Sequence, residues 1–214
     1  MRVNNQPNCA ENPAEPTVFV VDDDLGLRRS LQALLEAAGL PVEIYASAEE
    51  FLERCDPRRP GCMVLDVRLQ GSSGLDLQEE LRRSQVTLPV IVMTGYGDVS
   101  TSVRAFKGGA IDFLRKPVPP KKMLARIREG LEIDRQARAV AAQRALVVDA
   151  IARLTSRERQ VMDGLALGKS SKEIAGTLEI SVRTVEGHRR VVLRKLGVSS
   201  VAHLARPAAR LEHV

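Results

Sequence analysis

Residues 17–135 alternate short apolar runs with segments of helical periodicity, and this alternation restricts the fold more than any other feature. The apolar runs have the length of buried strands, and the segments between them place Leu, Ala and Val at helical spacing. The predicted strands are 17–24, 42–46, 62–66, 88–94 and 110–114, and the predicted helices are 25–39, 48–54, 74–83, 99–108 and 120–135. Strands and helices that alternate in this way predict an α/β doubly wound (βα)5 domain, with a parallel sheet between two layers of helices.

Polar side chains follow the predicted strands at the points where they end. Asp22 and Asp23 follow the first strand, Asp66 ends the third, Thr94 ends the fourth, and Lys116 comes just after the fifth. Each has an ordinary explanation on its own: aspartates 22–24 as helix caps, the threonine in a turn, the lysine in solvent. Because the carboxyl ends of parallel strands share one edge, their joint occurrence predicts a single pocket there.

The chemistry of such a pocket is restricted by its charges. Three neighbouring carboxylates raise one another's pKa values, and Mg²⁺ with oxygen ligands relieves that repulsion. A carboxylate can also attack a phosphoryl group and form an aspartyl phosphate. The metal and Lys116 would then offset the charge of the phosphoryl oxygens, and Thr94 could hydrogen-bond one of them.

Residues 17–131 resemble the receiver domain of bacterial two-component response regulators. The resemblance is carried by VVDDD at 20–24, LDVRLQGSSG at 65–74, VIVMTGYGD at 90–98 and GGAIDFLRKP at 108–117. It implies that Asp66 accepts phosphate from a sensor histidine kinase.

The same resemblance implies a magnesium site. Asp23 and Asp66 would bind Mg²⁺ directly, the backbone carbonyl of Arg68 would be the third protein ligand, and Asp22 would act through water. Arg68 and Tyr96 flank this site, and we hypothesise that they tune the lifetime of the phosphoryl group.

The resemblance also implies a switch. Thr94 would be the switch hydroxyl, Lys116 the phosphate-binding ammonium, and Phe113 the switch aromatic, although Phe113 also fits a plain core position. Two residues depart from the family pattern: Gln70 stands where Pro is usual, and Gly108 where Ala is common. Without Pro the loop after Asp66 is expected to be less rigid.

The positive charge of the chain is concentrated in residues 151–214. The net charge is +5, yet residues 17–131 carry 16 basic and 16 acidic groups, whereas 151–214 carry 12 basic and 6 acidic groups. A compact basic segment beside a neutral one indicates a polyanionic partner, although charge alone also fits a role in solubility. With aromatics at 3%, a stacking platform for single strands is not expected.

Residues 155–196 show the pattern of a helix-turn-helix. Helices are predicted at 155–167, 172–178 and 182–196, with a three-residue turn at 179–181 and a short fourth helix from Ser200. Thr155 and Glu158 form a capping-box pattern at the start. An ordinary helical hairpin would give the same spacing, but the third helix is basic, as expected of a recognition helix. Its basic residues are Arg183, Arg189, Arg190, Arg194 and Lys195.

Residues 154–198 resemble the LuxR-type DNA-binding domain along their whole length. The resemblance implies contacts on or beside DNA from one group and phosphate contacts from a second. The first group is Thr184, Val185 and His188, and the second is Arg183, Arg189 and Lys195. Val185 also fits a core position. Gly187 interrupts the helix propensity, and Pro207 interrupts the segment through which the family often pairs.

The two resemblances together indicate the NarL/FixJ class of response regulators. The expected organisation is a disordered tail at 1–16, a receiver at 17–131, a helical linker at 132–150 and a LuxR-type domain at 151–214. The linker is rich in Ala and lacks Gly and Pro, which favours helix. The expected protein is a transcription regulator that dimerises through about 99–131 when phosphorylated and binds promoter DNA, with RNA polymerase as a further candidate partner. It is not expected to be an enzyme.

Two other functions stay open on the sequence. One is an aspartyl-phosphate phosphatase, although Asp66-Val67-Arg68 lacks the second carboxylate expected of one; the other is an interaction module without specific DNA binding.

The three cysteines, Cys9, Cys55 and Cys62, are too widely spaced for a disulfide framework or a CxxC metal site, which favours a reducing cytoplasm. No apolar run has the length of a membrane span.

Overall fold

The computed structural model describes residues 15–95 and 99–197, and it divides into two compact units between Ala137 and Arg138. Several expectations lie outside the described residues. They concern most of the tail at 1–16, Tyr96, the helix from Ser200 and the interruption at Pro207.

The first unit is a five-stranded parallel sheet with helices between its strands, which confirms the predicted fold class. The strand order is β2-β1-β3-β4-β5. The strands are β1 Thr17–Val21, β2 Val42–Tyr45, β3 Gly61–Asp66, β4 Val90–Thr94 and β5 Ala110–Arg115. The helices are α1 Leu25–Ala37, α2 Ala48–Arg54, α3 Gly74–Arg83, α4 Val99–Lys107 and α5 Pro120–Ala152.

The sheet separates two apolar cores because successive strand side chains point to opposite faces. In β1, Val18 and Val20 pack on one side with residues of α1 and α5, including Leu35 and Ile127. Phe19 faces the other side, together with side chains of α2 and α3. Strands β1, β3 and β4 are buried along their whole length, which explains their nearly continuous apolar sequences.

Helix α5 is continuous over 33 residues and joins the predicted helix 120–135 to the predicted helical linker. Its Gly130 packs closely on the sheet, since a Cβ there would lie 2.5 Å from Cys62 Sγ. One turn later the buried carboxylate of Asp134 accepts a hydrogen bond from Gly61 N, at 2.9 Å. These contacts seat α5 on the amino-terminal end of β3.

The described part of the second unit, up to residue 197, contains three further short helices: α6 Ser156–Ala166, α7 Ser171–Leu178 and α8 Val182–Lys195. Thr155 and Ser170 cap α6 and α7, each in a capping box with the glutamate three residues later. Between α7 and α8 the chain turns at 179–181, with Glu179 in the left-handed conformation. The core is formed by Val161, Leu165, Ile174, Ala175 and Val185. None of the described helices is both long and apolar enough to cross a membrane.

Candidate phosphoacceptor site and nucleic-acid interface

Three aspartates meet at the carboxyl edge of the sheet. Strands β1 and β3 are neighbours with Val21 opposite Leu65, so the next residues of both strands, Asp22 and Asp66, emerge side by side. One carboxylate oxygen from each of Asp22, Asp23 and Asp66 lies within 4.8 Å of the others. Asp22 and Asp66 are buried, while Asp23 is partly exposed. A set of hard, anionic oxygen donors this close together suits Mg²⁺.

Lys116 brings a positive charge into this cluster from the end of β5. Its Nζ lies 2.7 Å from Asp22 Oδ2 and 3.2 Å from Asp66 Oδ1. Its backbone N donates to the carbonyl of Thr94 at 2.8 Å, which ties the end of β5 to that of β4. Thr94 is 1% exposed, and Met93 before it lies opposite Asp66 in the sheet. The structure therefore brings together the five polar residues that the sequence predicts for this pocket.

The electrostatics of the pocket depend on burial and on the pairing of charges. Burial raises the pKa of Asp66 above its usual value, and the charge of Asp22 adds to this rise, while Lys116 opposes it. Burial by itself disfavours the charged form of Lys116, but its contacts with Asp22 and Asp66 outweigh this and raise its pKa. Lys116 is thus held as a cation beside the carboxylates.

The aspartates of the first loop have different roles. Asp24 is the N-cap of α1 and accepts hydrogen bonds from Gly26 N at 2.8 Å and Leu27 N at 3.1 Å. The alternative explanation of these residues as caps therefore holds for Asp24. Asp22 instead fixes the loop, since its Oδ1 accepts from Asp24 N and its carbonyl accepts from the Arg28 guanidinium.

The loop that follows Asp66 is closed by main-chain contacts. Arg68 and Ser73 form an antiparallel bridge, and Gly71 between them has a φ of +93°, which favours glycine. Gly74 packs against the phosphoacceptor candidate itself, since a Cβ there would lie 1.9 Å from the carbonyl oxygen of Asp66. The expectation of a looser loop without Pro missed these constraints, because they depend on contacts rather than on local composition. Their effect on switching stays a prediction.

Phe113 is half-buried on β5 and packs against the core on the α2 and α3 side of the sheet. It is therefore not a fully enclosed core aromatic. The adjacent Asp112 accepts from Phe113 N at 2.8 Å and pairs with Arg126 of α5 at 2.9 Å.

The exposed face of α8 differs in part from the predicted DNA-contacting set. Arg183 and Thr184 are exposed, and His188 and Arg189 are partly exposed. Val185, in contrast, is fully buried, because it points inward with the core of the second unit. The core alternative therefore describes Val185, and its side chain is not available to DNA in this structure.

Two further residues of the exposed α8 face, which the sequence does not place in its set of individual DNA contacts, are Arg190 and Gly187. Arg190 is exposed two helical turns after Arg183, and Gly187 lies between them on the same face. A Cβ on Gly187 would meet nothing within 4 Å, so the backbone there is open to close approach. The helical period of 3.6 residues places Val185 and Val192 together on the buried side of α8. The same period could have identified the opposite, exposed face from the sequence.

Lys195, which the sequence predicts as a phosphate partner, is paired within the second unit in this structure. Its Nζ lies 2.7 Å from Glu158 Oε2 and 3.1 Å from the carbonyl of Arg153. Glu158 is buried and also accepts from Thr155 N at 2.7 Å. Lys195 thus links the end of α8 to the start of α6.

This fold and these two sites define a class: a receiver with a phosphoacceptor pocket, followed by a helix-turn-helix unit. Comparison with protein families agrees, since residues 18–128 match the response regulator receiver domain and 152–208 match the bacterial regulatory proteins of the luxR family. The chain belongs to the response regulators of the NarL/FixJ class.

Individual relatives are similar over almost the full chain. The transcriptional regulatory protein FixJ of Bradyrhizobium diazoefficiens is 40% identical over 196 residues, which cover 90% of this chain and 94% of that protein. The response regulator protein TodT of Pseudomonas putida is 36% identical over 195 residues, which cover 91% of this chain and 86% of that protein. The solved structure of the response regulator StyR is 40% identical and matches with a TM-score of 0.83, over 92% of this chain and 100% of that one.

The protein is accordingly a phosphorylation-dependent transcription regulator. Its two domains imply a kinase and DNA as partners. Receiver domains generally use Mg²⁺ at their aspartate cluster, and this chain has such a cluster. Of these relatives, FixJ is a transcriptional regulatory protein, and TodT and StyR are response regulators.

Proposed function

We propose that Asp66 is the phosphoacceptor and that Asp22, Asp23, Asp66 and the backbone carbonyl of Arg68 form the Mg²⁺ site. The observation that carries this proposal is the cluster of three carboxylates within 4.8 Å, with Lys116 bonded to two of them. When bound, Mg²⁺ would offset the negative charge of the phosphoryl oxygens. Charge relief of this kind would also favour the ionised form of Asp66, whose pKa burial raises.

The residues of this chain have distinct parts in phosphoryl transfer. An Asp66 carboxylate oxygen attacks the phosphorus of a phosphohistidine on the sensor kinase, so that the P–N bond breaks as the P–O bond forms. The histidine nitrogen keeps the electron pair of that bond and is protonated. Lys116 then pairs with a phosphoryl oxygen, and the Thr94 hydroxyl donates to another, which draws the end of β4 toward the site and repacks Phe113.

Phosphorylation with acetyl phosphate and intact-mass measurement test this assignment. The wild-type protein should gain one phosphoryl group in the presence of Mg²⁺ and none after chelation. Asp66→Asn should gain none, whereas Asp76→Asn, at an exposed carboxylate of α3, should behave as the wild type. A phosphorylated Asp66→Asn protein would show that another residue is the acceptor.

We further propose that the phosphorylated protein dimerises through the face at about 99–131. Helix α4 carries an exposed apolar stripe at spacings of four and three residues: Val99 is 80% exposed, Val103 45% and Phe106 53%. Apolar side chains at these spacings lie on one side of a helix. A monomer leaves this stripe in water, so pairing with a second copy would remove its apolar surface.

In the proposed DNA complex, α8 enters the major groove and each protomer of the dimer binds one half-site. Arg183, Arg190 and Arg194 are exposed on α8 and would contact phosphates. Thr184, whose hydroxyl lies 2.8 Å from that of the N-cap Ser181, and His188 would lie beside the bases. Arg189 lies 3.6 Å from Glu186 and would have to leave this pair to reach a phosphate.

The remaining assignments are proposals of the same kind. We assign the receiver to 17–131, the linker to 132–150 and the DNA-binding domain to 151–214, supported by family matches at 18–128 and 152–208. RNA polymerase is a further proposed partner, and the cytoplasm, where promoter DNA lies, the proposed location. A genome-wide binding map of wild type and Asp66→Asn would test them: sites occupied equally by both proteins would contradict control by phosphorylation.

A further inference from the structure

Gln78 forms a buried contact between α3 and the carboxyl-terminal end of α4. Its side chain is 3% exposed, and its Nε2 donates to the carbonyl of Ala105 at 3.1 Å. The last four carbonyls of a helix lack the usual helical donors. In α4 the carbonyls of Arg104 and Phe106 accept from the backbone N of Gly108 and Gly109, and the carbonyl between them accepts from the Gln78 side chain.

Gly108 makes the space for this amide. A Cβ on residue 108 would lie 2.8 Å from both Cδ and Oε1 of Gln78. A glutamine side chain could move away from such a methyl group, but this one would have to give up its hydrogen bond to Ala105. The glycine at a position where the family commonly has alanine is therefore matched to the glutamine on α3.

Helix α3 touches the phosphoacceptor at its other end. Gly74 is the first residue of α3 and packs against the carbonyl of Asp66, with a hypothetical Cβ only 1.9 Å from that oxygen. Gln78 lies one helical turn after Gly74. A chain of direct contacts thus runs from Asp66 through α3 to Ala105, which is next to the exposed Phe106 of the α4 stripe.

We propose that Gln78 is a positioning residue that holds the Phe106 end of the α4 stripe in register with the loop after Asp66. This inference rests on the proposed dimer face. Through the Gln78 contact, α4 has a connection to Asp66 that runs along α3. This connection is separate from the proposed one through Thr94 and Phe113. The hydrogen bond from Gln78 joins α3 to α4 at a distance from the carboxylates. Its loss should therefore loosen the last turn of α4 without altering the carboxylate pocket.

Two kinds of measurement on the full-length protein test the proposal. Hydrogen exchange of the amides at 104–109 in the unphosphorylated protein reports the anchoring of α4, and the dissociation constant of the beryllofluoride-activated dimer reports its effect on pairing. Gln78→Met removes the amide at similar volume, and Gly108→Ala displaces it. The control is Gln136→Met, at an exposed helical glutamine of α5.

Gln78→Met and Gly108→Ala should each speed exchange at 104–109 and weaken the dimer about three- to tenfold, the range expected for one lost hydrogen bond. Gln136→Met should do neither, and phosphorylation by acetyl phosphate should proceed at the wild-type rate in all three, which also reports an intact fold. In a Gln78→Ala background, Gly108→Ala should have no further effect, because its methyl group then meets no amide.

The outcomes separate this inference from the dimer proposal. Unchanged exchange at 104–109 in both variants would show that Gln78 does not anchor α4. Faster exchange with an unchanged dimer constant would reduce Gln78 to a packing residue and overturn the inference while the dimer proposal stands. A wild-type protein that stays monomeric after activation would overturn both, with the exchange result still reporting on the α3–α4 contact.

Discussion

Lys195 lies on the most basic helix of the chain, but its ammonium contacts Glu158 and the carbonyl of Arg153. If its role is to hold α8 against α6, Lys195→Met should lower both the melting temperature of the second unit and the DNA affinity, with an unchanged salt dependence. Arg190→Ala should instead reduce the slope of log K against log salt by about 1, as expected for one lost phosphate contact. Binding titrations over a series of KCl concentrations measure both, and equal slope losses would assign Lys195 to the DNA.

The same pair predicts how stability depends on pH. Lys195, and then the hydrogen bond from Thr155 N, hold the pKa of Glu158 below its usual value. A carboxyl with a lowered pKa in the folded state stabilises the fold above its unfolded pKa, about 4.3, and loses this contribution as the pH falls through the folded value. Acid titration of the melting temperature should therefore show a drop below about pH 4 that is smaller in Lys195→Met. Identical acid profiles of the two proteins would argue against the ion pair.

Single residues were predictable where the backbone fixes their place. Asp22 and Asp66 were found because parallel strands end at one edge, whatever the details of packing. Val185 was misplaced because its role depends on which side of α8 faces the core. The ion pair of Lys195 was missed because its partner Glu158 lies 37 positions away, and its contact with phosphate stays a prediction. Charge on a helix indicates a polyanion, but only the packing shows which basic side chains remain for it.

Helix packing in the second unit makes two glycines respond in opposite ways to the same substitution. A Cβ on Gly164 of α6 would lie 2.8 Å from Cγ1 of the buried Ile174, whereas a Cβ on Gly176 of α7 would meet nothing within 4 Å. Gly176→Ala should stabilise the unit by up to about 1 kcal/mol through helix propensity. Gly164→Ala should destabilise it by about 1–3 kcal/mol because it overpacks the α6–α7 contact. Denaturant unfolding of the two variants compares them, and a stabilised Gly164→Ala would contradict the close packing.

The order and type of the secondary structure elements followed from sequence periodicity, since burial on both faces of β1, β3 and β4 requires long apolar runs. The position of α5 against the sheet did not follow from periodicity. Asp134 reaches Gly61 across 73 positions, and no local pattern marks a carboxylate in the linker segment as buried. Composition could predict that the linker is helical, but not that its first turns are held by the sheet.

At the scale of the whole molecule, the charge separates two tasks. Residues 17–131 are neutral in sum and surround a pocket of carboxylates, whereas 151–214 carry the excess positive charge. A regulator built in this way binds DNA through one part and is controlled through the other. Pairing through α4, as proposed, would provide such control, because two DNA-binding units would then bind DNA together only after phosphorylation.

Phe106→Glu tests this link between pairing and DNA binding. A carboxylate at the Phe106 end of the exposed α4 stripe would have to be desolvated in the dimer, so beryllofluoride should no longer produce a dimer in sedimentation measurements. Affinity for DNA with two half-sites should then stay at the unactivated level, while affinity for a single half-site is unchanged. Leu52→Glu, at an exposed apolar residue of α2, is the matched control and should dimerise normally. If Phe106→Glu still gained affinity for the double site on activation, phosphorylation would have to act within one protomer, and the α4 stripe would need another partner.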